Sequence, residues 1–187
     1  MSKPKIVVVG GGAGGLPLAT KLGAKLGKYG NADITLVDSS SIHVWKPRFH
    51  EVATGAIDAD LDAVDYRAHA QLNHYRFEPG TMTQMDTTGQ TLTLAPLYDA
   101  HGSEVLPERQ LSYDYLVLAT GSQSNDFGTP GVRDNCLFMD SRGQAERFRE
   151  RFLNASLHAN YENKPISVAI VGGGATGVEL AAELHHA

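Results

Sequence analysis

The fold is decided by residues 5–15, which read KIVVVGGGAGG, and a second stretch, residues 167–177, reads SVAIVGGGATG. In each, an apolar run of strand length leads into G-x-G-x-x-G and then a helical pattern, the context in which this motif indicates a dinucleotide site. The first glycine makes a tight turn, the second lets backbone N–H groups approach a pyrophosphate, and the third lets helix and strand pack closely. The phosphates would lie at a helix N-terminus, which favours negative charge. Two dinucleotide sites indicate electron transfer between two nucleotides, typically a flavin and a nicotinamide.

The composition is that of a globular protein, with 42% hydrophobic and 20% charged residues and a mean hydropathy of −0.22. The net charge of −5 and a pI near 5.9 argue against nucleic acid as a partner, because nucleic-acid-binding proteins usually carry a basic face. No apolar stretch approaches the length of about 18–20 residues that a transmembrane helix needs. Cys136 is the only cysteine, which excludes an internal disulfide and a C-x-x-C redox pair within this chain and favours a cytoplasmic, reducing location.

The first glycine motif belongs to a complete strand–helix–strand unit. The pattern predicts a strand over residues 6–9, a helix from about Gly14 to Leu26, and a strand over residues 34–37. Asp38 ends the second strand about 20 residues after the glycines, the spacing of a carboxylate that binds a ribose hydroxyl. The alternative for Asp38 is a cap or turn residue before Ser39.

The middle of the chain predicts a small antiparallel excursion, since residues 76–86 and 90–97 show partial alternation of apolar and polar residues. A buried strand is then predicted over residues 113–118. It ends at the small residues 119–121, whose backbone could approach a nucleotide without obstruction by side chains. A charged surface helix is predicted over residues 141–158, and it leads to the second glycine motif.

The last helical pattern, residues 178–187, contains no glycine or proline terminator. A complete dinucleotide unit needs a further parallel strand and an acid about 20 residues beyond its glycines. We therefore interpret the chain as the N-terminal part of a longer protein. Uncovered apolar faces and sheet edges would then favour a dimer or a larger homo-oligomer.

Six segments carry a resemblance to a known family: residues 10–15 (GGGAGG), 43–47 (HVWKP), 50–55 (HEVATG), 119–121 (ATG), 124–127 (SNDF) and 171–180 (VGGGATGVEL). Together they resemble the bacterial type II NADH:quinone oxidoreductases over the whole chain. The glycine motifs alone specify only the wider superfamily of flavoproteins with two dinucleotide sites, whereas residues 43–55 narrow it to the quinone reductases. One departure is Arg48, a charge where relatives usually have an apolar residue after Lys-Pro.

The resemblance implies a respiratory flavoenzyme that lies peripherally on the cytoplasmic face of the inner membrane. NADH would reduce FAD by hydride transfer, and electrons would pass on to a membrane quinone. The implied fold is α/β. Residues 1–140 would form the N-terminal part of a Rossmann-like FAD-binding domain, a parallel sheet with a small antiparallel excursion. Residues 141–164 would be a connecting helix and linker, and residues 165–187 the first strand and helix of a second Rossmann-like domain that binds NADH.

The resemblance also assigns candidate site residues. For FAD they are Gly10, Gly11, Gly12, Ala13, Gly14, Gly15, Asp38, Ser39, Lys46, Met82, Ala119, Thr120 and Gly121, and for NADH they are Gly172, Gly174 and Gly177. Met82 would contact the adenine through its backbone. Glu179 matches a family glutamate near the nicotinamide and flavin, and it is the candidate for a positioning role in catalysis. The alternative for Glu179 is an acid that merely favours the helix N-terminus.

The remaining polar candidates are weaker. The eight histidines match no strong metal-ligand pattern supported by carboxylates, so no metal site is predicted. His43 and His50 lie in the family segment. Each is either a residue near the cofactor or an ordinary loop histidine. Cys136 precedes an apolar run, which favours a buried, inert thiol.

Two other functions stay open from the sequence. One is a related flavoprotein that takes electrons from another donor, such as a sulfide:quinone reductase, against which the single cysteine argues. The other is a truncated FAD-binding module that holds nucleotide without turnover.

Overall fold

The computed structural model describes residues 2–58, 60–61 and 63–186. The strands are β1 (Lys5–Val9), β2 (Asp33–Asp38), β3 (Ile42–His43), β4 (Val64–Asp65), β5 (Arg76–Pro79), β6 (Met82–Asp86), β7 (Thr91–Leu94), β8 (Leu97–Tyr98), β9 (Glu104–Leu106), β10 (Arg109–Ser112) and β11 (Tyr115–Leu118). The helices are α1 (Gly15–Leu22), which continues as a π-helical turn over Gly23–Gly27, α2 (Phe49–Thr54) after a 3₁₀ turn at Lys46–Arg48, α3 (Tyr66–Leu72), α4 (Val132–Asn135), α5 (Arg142–Glu162) and α6 (Ala175–His186).

The chain divides into two compact units. The first comprises Met1–His43 with Val64–Gly121, and the second comprises Val44–Ala63 with Ser122–Ala187.

The first unit is built on a parallel sheet with the strand order β11-β1-β2-β5. Val8 pairs with Leu36 of β2 and Val117 of β11, and it is fully buried. Because side chains alternate along a strand, Val8 packs with α1 and α3 on one face, whereas Val7 and Val9 pack with Leu92 and Leu94 on the other. This arrangement confirms the predicted Rossmann-like α/β class.

The antiparallel excursion is smaller than predicted. Residues 76–79 form β5 and pair in parallel with β2, so the excursion begins at Met82, where β6 pairs with β7 and β7 with β10. The prediction for residues 76–79 was wrong because partial alternation does not distinguish an edge strand of a parallel sheet from a hairpin strand.

β11 forms where a strand was predicted, but its burial was not predicted correctly. Tyr115 is 63% exposed and Leu118 is 52% exposed. β11 stands at the end of the strand order, so among the described residues it has a neighbouring strand on one side only. An apolar run therefore did not indicate a strand buried on both sides.

The second unit is helical. The α5 helix begins at Ser141, whose side chain and that of Gln144 form a reciprocal capping box, and it ends four residues later than predicted. Ala145 is the buried residue of this charged helix. It packs against Phe49, Val52 and Ala53 of α2 and Leu180 of α6.

Two predictions fail in the second unit. Residues 167–171 do not form a strand, and no strand in the described part of the chain pairs with them. A strand needs a hydrogen-bonded neighbour, so apolar β-branched character alone does not produce one. Cys136 is exposed rather than buried. The helix after the second glycine motif forms as predicted, although Ala187 lies outside the described residues.

Within residues 2–58, 60–61 and 63–186, no helix combines the length and apolar content required to cross a bilayer.

Candidate functional site

The first glycine loop, residues 10–15, joins β1 to α1. Gly10 has a φ of 99° and donates its N–H to the carbonyl oxygen of Val37 at 2.7 Å. A side chain on Gly10 would overlap the backbone of Ala119, and one on Gly15 would overlap the carbonyl oxygen of Gly10. By contrast, a Cβ at Gly12 or Gly14 would meet no described atom within 4 Å. The loop is therefore tightly packed on its protein side and open on the other, as a phosphate-binding loop must be.

Gly11, at the centre of this loop, is held from both of its backbone polar groups. Its N–H donates to Oδ2 of Asp38 at 2.6 Å, and its carbonyl oxygen accepts from the Tyr66 hydroxyl at 2.8 Å. Oδ1 of Asp38 accepts a second hydrogen bond from Ser40 N–H at 2.8 Å. The predicted ribose carboxylate therefore also ties the loop to the end of β2.

Tyr66 lies at the start of α3 and is 2% exposed. Its ring stacks on Phe77 with centroids 5.0 Å apart, and its hydroxyl lies 3.3 Å from Nδ1 of the buried His43. Burial raises the pKa of the Tyr66 hydroxyl. Burial also lowers the pKa of His43, outweighing the nearby Asp38 carboxylate, which raises it. Both groups are therefore neutral at pH 7.

Other candidates of the first unit lie beside the loop. The Ala119 N–H donates to the Val9 carbonyl at 2.7 Å, so residues 119–121 leave β11 next to the point where the glycines leave β1. Gly80 N–H donates to the Asp38 carbonyl at 2.9 Å, which leads the chain past Asp38 to Met82. Ser39 is exposed. The carboxyl ends of parallel strands thus gather these candidates at one edge of the sheet, the usual place for a ligand in an open α/β sheet.

Lys46 lies in the second unit. Its ammonium group donates to the Ser122 carbonyl at 2.7 Å and pairs with Oδ1 of Asp140 at 3.2 Å. Ser124 donates to the same carboxylate from its N–H at 2.9 Å and from its hydroxyl at 3.1 Å. Burial raises the pKa of Asp140, but the hydrogen bonds from Ser124 and Lys46 outweigh it and leave the pKa below its ordinary value.

The second glycine loop, residues 172–177, repeats the turn of the first. Gly172 has a φ of 113°, and a side chain on Gly177 would overlap the Gly172 carbonyl oxygen. A Cβ at Gly174 would meet no described atom within 4 Å. Val178 N–H donates to the Gly174 carbonyl at 3.1 Å, which continues the loop into α6.

Glu179 lies in the first turns of α6 and is paired across helices. Its Oε2 lies 3.3 Å from Nδ1 of His50, a residue of α2 that is 9% exposed, although the two are not aligned as a hydrogen bond. Arg48 pairs with Glu51 at 2.7 Å, so the unusual charge after Lys-Pro meets a carboxylate in the next turn. That hydrogen bond lowers the pKa of Glu51.

Sequence reasoning missed three of these contacts. They are the contacts of Tyr66 with the first loop, of Asp140 with Lys46, and of His50 with Glu179. Each joins residues that are distant in sequence, so no motif spacing could find them. The one sequence signal for these contacts was the position of His50 in the family segment HEVATG. In the described part of the chain, no group of three His, Cys, Asp or Glu side chains could hold a metal ion.

Comparison with known proteins places this chain among nucleotide-dependent oxidoreductases. It is 46% identical to the type II NADH:quinone oxidoreductase of Haemophilus influenzae over 97% of its length, which confirms the resemblance seen in the sequence. It is 30% identical to the external alternative NAD(P)H-ubiquinone oxidoreductase B1 of Arabidopsis thaliana over 96% of its length. The chain spans 45% of the first relative and 32% of the second.

A solved structure also resembles it, that of NDH2 from Plasmodium falciparum in complex with NADH. The TM-score is 0.78 at 24% identity, over 98% of this chain and 37% of that one, a likeness of fold. The family model described as pyridine nucleotide-disulphide oxidoreductase matches residues 4–187. The chain therefore belongs to the pyridine nucleotide-disulphide oxidoreductase family.

Proposed function

We propose that this chain is the nucleotide-binding part of a flavin-dependent NADH dehydrogenase that passes a hydride from NADH to FAD and electrons on to a membrane quinone. The observation that carries the proposal is the repetition of one loop geometry at both motifs. In each, the first glycine has a positive φ and the third leaves no room for a Cβ against the first. The 46% identity to a type II NADH:quinone oxidoreductase supports the choice of substrates.

The first loop would hold FAD. The fit of this loop to FAD rests on the open space over Gly12 and Gly14, where a pyrophosphate could approach the backbone. Each carboxylate oxygen of Asp38 accepts one N–H and has a second lone pair, which leaves acceptor capacity for a ribose hydroxyl. Ala119, Thr120 and Gly121 would line the flavin side. FAD, when bound, supplies the hydride acceptor and the route for electrons.

The second loop would hold the NADH pyrophosphate through Gly172, Gly174 and Gly177. Glu179 would then position the nicotinamide, and His50 would orient its carboxylate from the neighbouring helix. Lys46 would lie near the flavin nucleotide, with its ammonium group oriented by Asp140 and the Ser122 carbonyl. The protein would act peripherally at the cytoplasmic face of the inner membrane, where its quinone is dissolved.

The test is a visible absorption spectrum of the purified chain with added FAD, followed by anaerobic addition of NADH. We expect a protein-bound flavin spectrum that bleaches on addition of NADH, because both nucleotides would then share one hydride path. The absence of bound flavin would contradict the proposal for the first loop. Repeating the titration with sulfide in place of NADH tests a related flavoprotein with another donor, a choice that the single, exposed Cys136 disfavours.

A second candidate, a module that binds FAD without turnover, is favoured by one observation. Residues 167–171 lead into the second loop without forming a strand, and Val171 is 92% exposed. A nucleotide on that loop would lack a sheet edge to lie against. Flavin that binds but stays oxidised after NADH is added would identify this function.

A further inference from the structure

We propose that Tyr66 is the positioning residue of the first glycine loop and that it directs the Gly12 N–H toward the nucleotide pyrophosphate. The inference rests on the proposed binding of FAD to this loop. It starts from the hydrogen bond of 2.8 Å that Tyr66 donates to the Gly11 carbonyl oxygen.

The geometry follows from the planarity of the peptide bond. The Gly11 carbonyl and the Gly12 N–H belong to one trans peptide unit, so they point in opposite directions. Tyr66 is buried and holds the carbonyl toward the core, which directs the Gly12 N–H away from the core. A Cβ at Gly12 would meet no described atom within 4 Å, so the loop is open at this residue. Among the described residues, none accepts a hydrogen bond from this N–H. It is therefore available to a phosphate oxygen.

The fit between Tyr66 and the loop is specific to glycine. A side chain at Gly11 would overlap the Tyr66 hydroxyl and its ring carbon, so the tyrosine occupies the space that a larger residue would need. The preceding peptide is also fixed, because the Gly11 N–H donates to Asp38 at 2.6 Å. With one peptide held by Asp38 and the next by Tyr66, rotation of the loop about Gly11 is restricted.

His43 supports the orientation of the tyrosine hydroxyl toward the Gly11 carbonyl. The Gly11 carbonyl can only accept, so the single hydroxyl hydrogen of Tyr66 is directed to it. The hydroxyl oxygen is then the acceptor for Nδ1 of His43 at 3.3 Å, which requires the ring proton to be on Nδ1. Tyr66 is itself fixed by its stack on Phe77 and by its N–H, which donates to the Ser41 carbonyl at 3.0 Å.

The chain offers a matched control in Tyr75. It is 6% exposed, belongs to the same core cluster as Tyr66, and also has its hydroxyl on a histidine, Nδ1 of His69 at 2.9 Å. Tyr75→Phe therefore removes a buried hydroxyl from a Tyr–His pair without removing a contact to the loop. Tyr66→Phe removes both the buried hydroxyl and its contact to the loop.

The first measurement is the Kd for FAD of the wild-type chain, Tyr66→Phe and Tyr75→Phe, with the free energy of unfolding of each. We expect Tyr66→Phe to weaken FAD binding by about tenfold and Tyr75→Phe to change it by less than about twofold. Equal effects of the two variants on the Kd would overturn the inference. If the wild-type chain does not bind FAD, the proposed function fails, and the next measurement decides the inference without a nucleotide.

That measurement is the ¹⁵N–¹H resonance of Gly12 in the nucleotide-free chain. We expect Tyr66→Phe to shift it and Tyr75→Phe to leave it in place, because only Tyr66 orients the Gly11–Gly12 peptide. An unshifted Gly12 resonance in Tyr66→Phe would overturn the inference.

A second pair of variants serves if Tyr66→Phe does not fold. His43→Asn keeps an N–H donor near the position of Nδ1, whereas His43→Leu removes it and leaves the Tyr66 hydroxyl held by the Gly11 carbonyl alone. We expect FAD to bind about threefold more weakly to His43→Leu than to His43→Asn. Equal dissociation constants would contradict the role of the hydroxyl direction.

Discussion

The two glycine loops have the same turn but different support. Gly10 and Gly172 have φ values of 99° and 113°, and in both loops the third glycine packs against the carbonyl of the first. The first loop leaves β1, whose Val8 is fully buried between two parallel neighbours. The second follows residues that form no strand and leave Val171 92% exposed. Local sequence is therefore sufficient for the turn, whereas the strand depends on partners from elsewhere in the chain.

The supports that replace the sheet at the second loop are helical. The α6 helix packs Leu180 against α2, and Glu179 pairs with His50 of that helix. The first loop, by contrast, is held at Gly10 by Val37 and at Gly11 by Asp38 and Tyr66. The first loop is therefore held by hydrogen bonds to its own backbone, and the second by the packing and the ion pair of its helix.

The largest effect is expected for Gly15→Ala. Its Cβ would overlap the Gly10 carbonyl oxygen, and the hydrogen bonds of β1 and β2 prevent that carbonyl from moving. We expect the free energy of unfolding of the β1 amides, measured by native-state hydrogen exchange, to fall by about 4 kcal/mol. Gly177→Ala makes the same overlap with Gly172 but in a loop without a sheet, so its cost should be about 1 kcal/mol or less.

The open positions are the controls for this pair. A Cβ at Gly12 or Gly174 meets no described atom within 4 Å, so Gly12→Ala and Gly174→Ala should leave stability nearly unchanged. Equal losses for Gly15→Ala and Gly177→Ala would show that the two loops are equally supported, and the comparison would fail.

The next effect in size concerns the helix of the second loop. Leu180 is 7% exposed and is the buried α6 residue in the core formed with α2 and α5. Leu180→Ala should cost about 3 kcal/mol through lost burial and the cavity left behind. Hydrogen exchange should locate the loss in α6 and α2, with β1 unaffected. Loss of protection in β1 as well would mean that the two loops do not have separate supports.

Sequence predicted the first unit well because its pattern is local. The alternating and apolar runs around residues 5–38 indicate strand, loop and helix without reference to other segments, and Asp38 ends the second strand as predicted. The predictions failed where a partner decides the outcome. Residues 76–79 form a parallel edge strand because β2 is available to pair, and residues 167–171 form none because no described strand pairs with them.

The same reasoning explains the missed site residues. Tyr66 is separated by many residues from the loop it supports, and its position depends on α3 packing against the sheet through the Phe77 stack. Cys136 was predicted to be buried from its apolar neighbours, yet the short helix α4 leaves it exposed. Burial is a property of the packed structure, so the residue types next to a position in the sequence do not determine it.

Asp38→Asn is expected to have a smaller effect than Gly15→Ala or Leu180→Ala. The carboxylate accepts from Gly11 N–H with one oxygen and from Ser40 N–H with the other. Asparagine offers one carbonyl oxygen, and its NH₂ group would face an N–H donor. We expect the free energy of unfolding of the β1 and β2 amides to fall by about 2 kcal/mol and the Kd for FAD to rise. Unchanged stability together with weaker FAD binding would assign Asp38 to the ribose alone and remove one support of the first loop.

The smallest effect is a pH dependence that belongs to the first loop. Burial lowers the pKa of His43, so the folded protein favours the neutral imidazole more than the unfolded chain does. The stability that this provides is fully present above the ordinary histidine value of about 6.5 and is lost as the pH falls below it toward the lowered pKa. His43→Asn keeps a donor toward the Tyr66 hydroxyl but does not titrate. Between about pH 7 and pH 5, the wild-type chain should therefore lose more protection of its β1 and α3 amides than His43→Asn does. The α6 amides should show no difference between the two proteins, since His43 faces the first loop, both through Tyr66 and through its own approach to the Gly11 backbone. Parallel pH profiles for β1 would mean that the charge on His43 does not couple to the first loop.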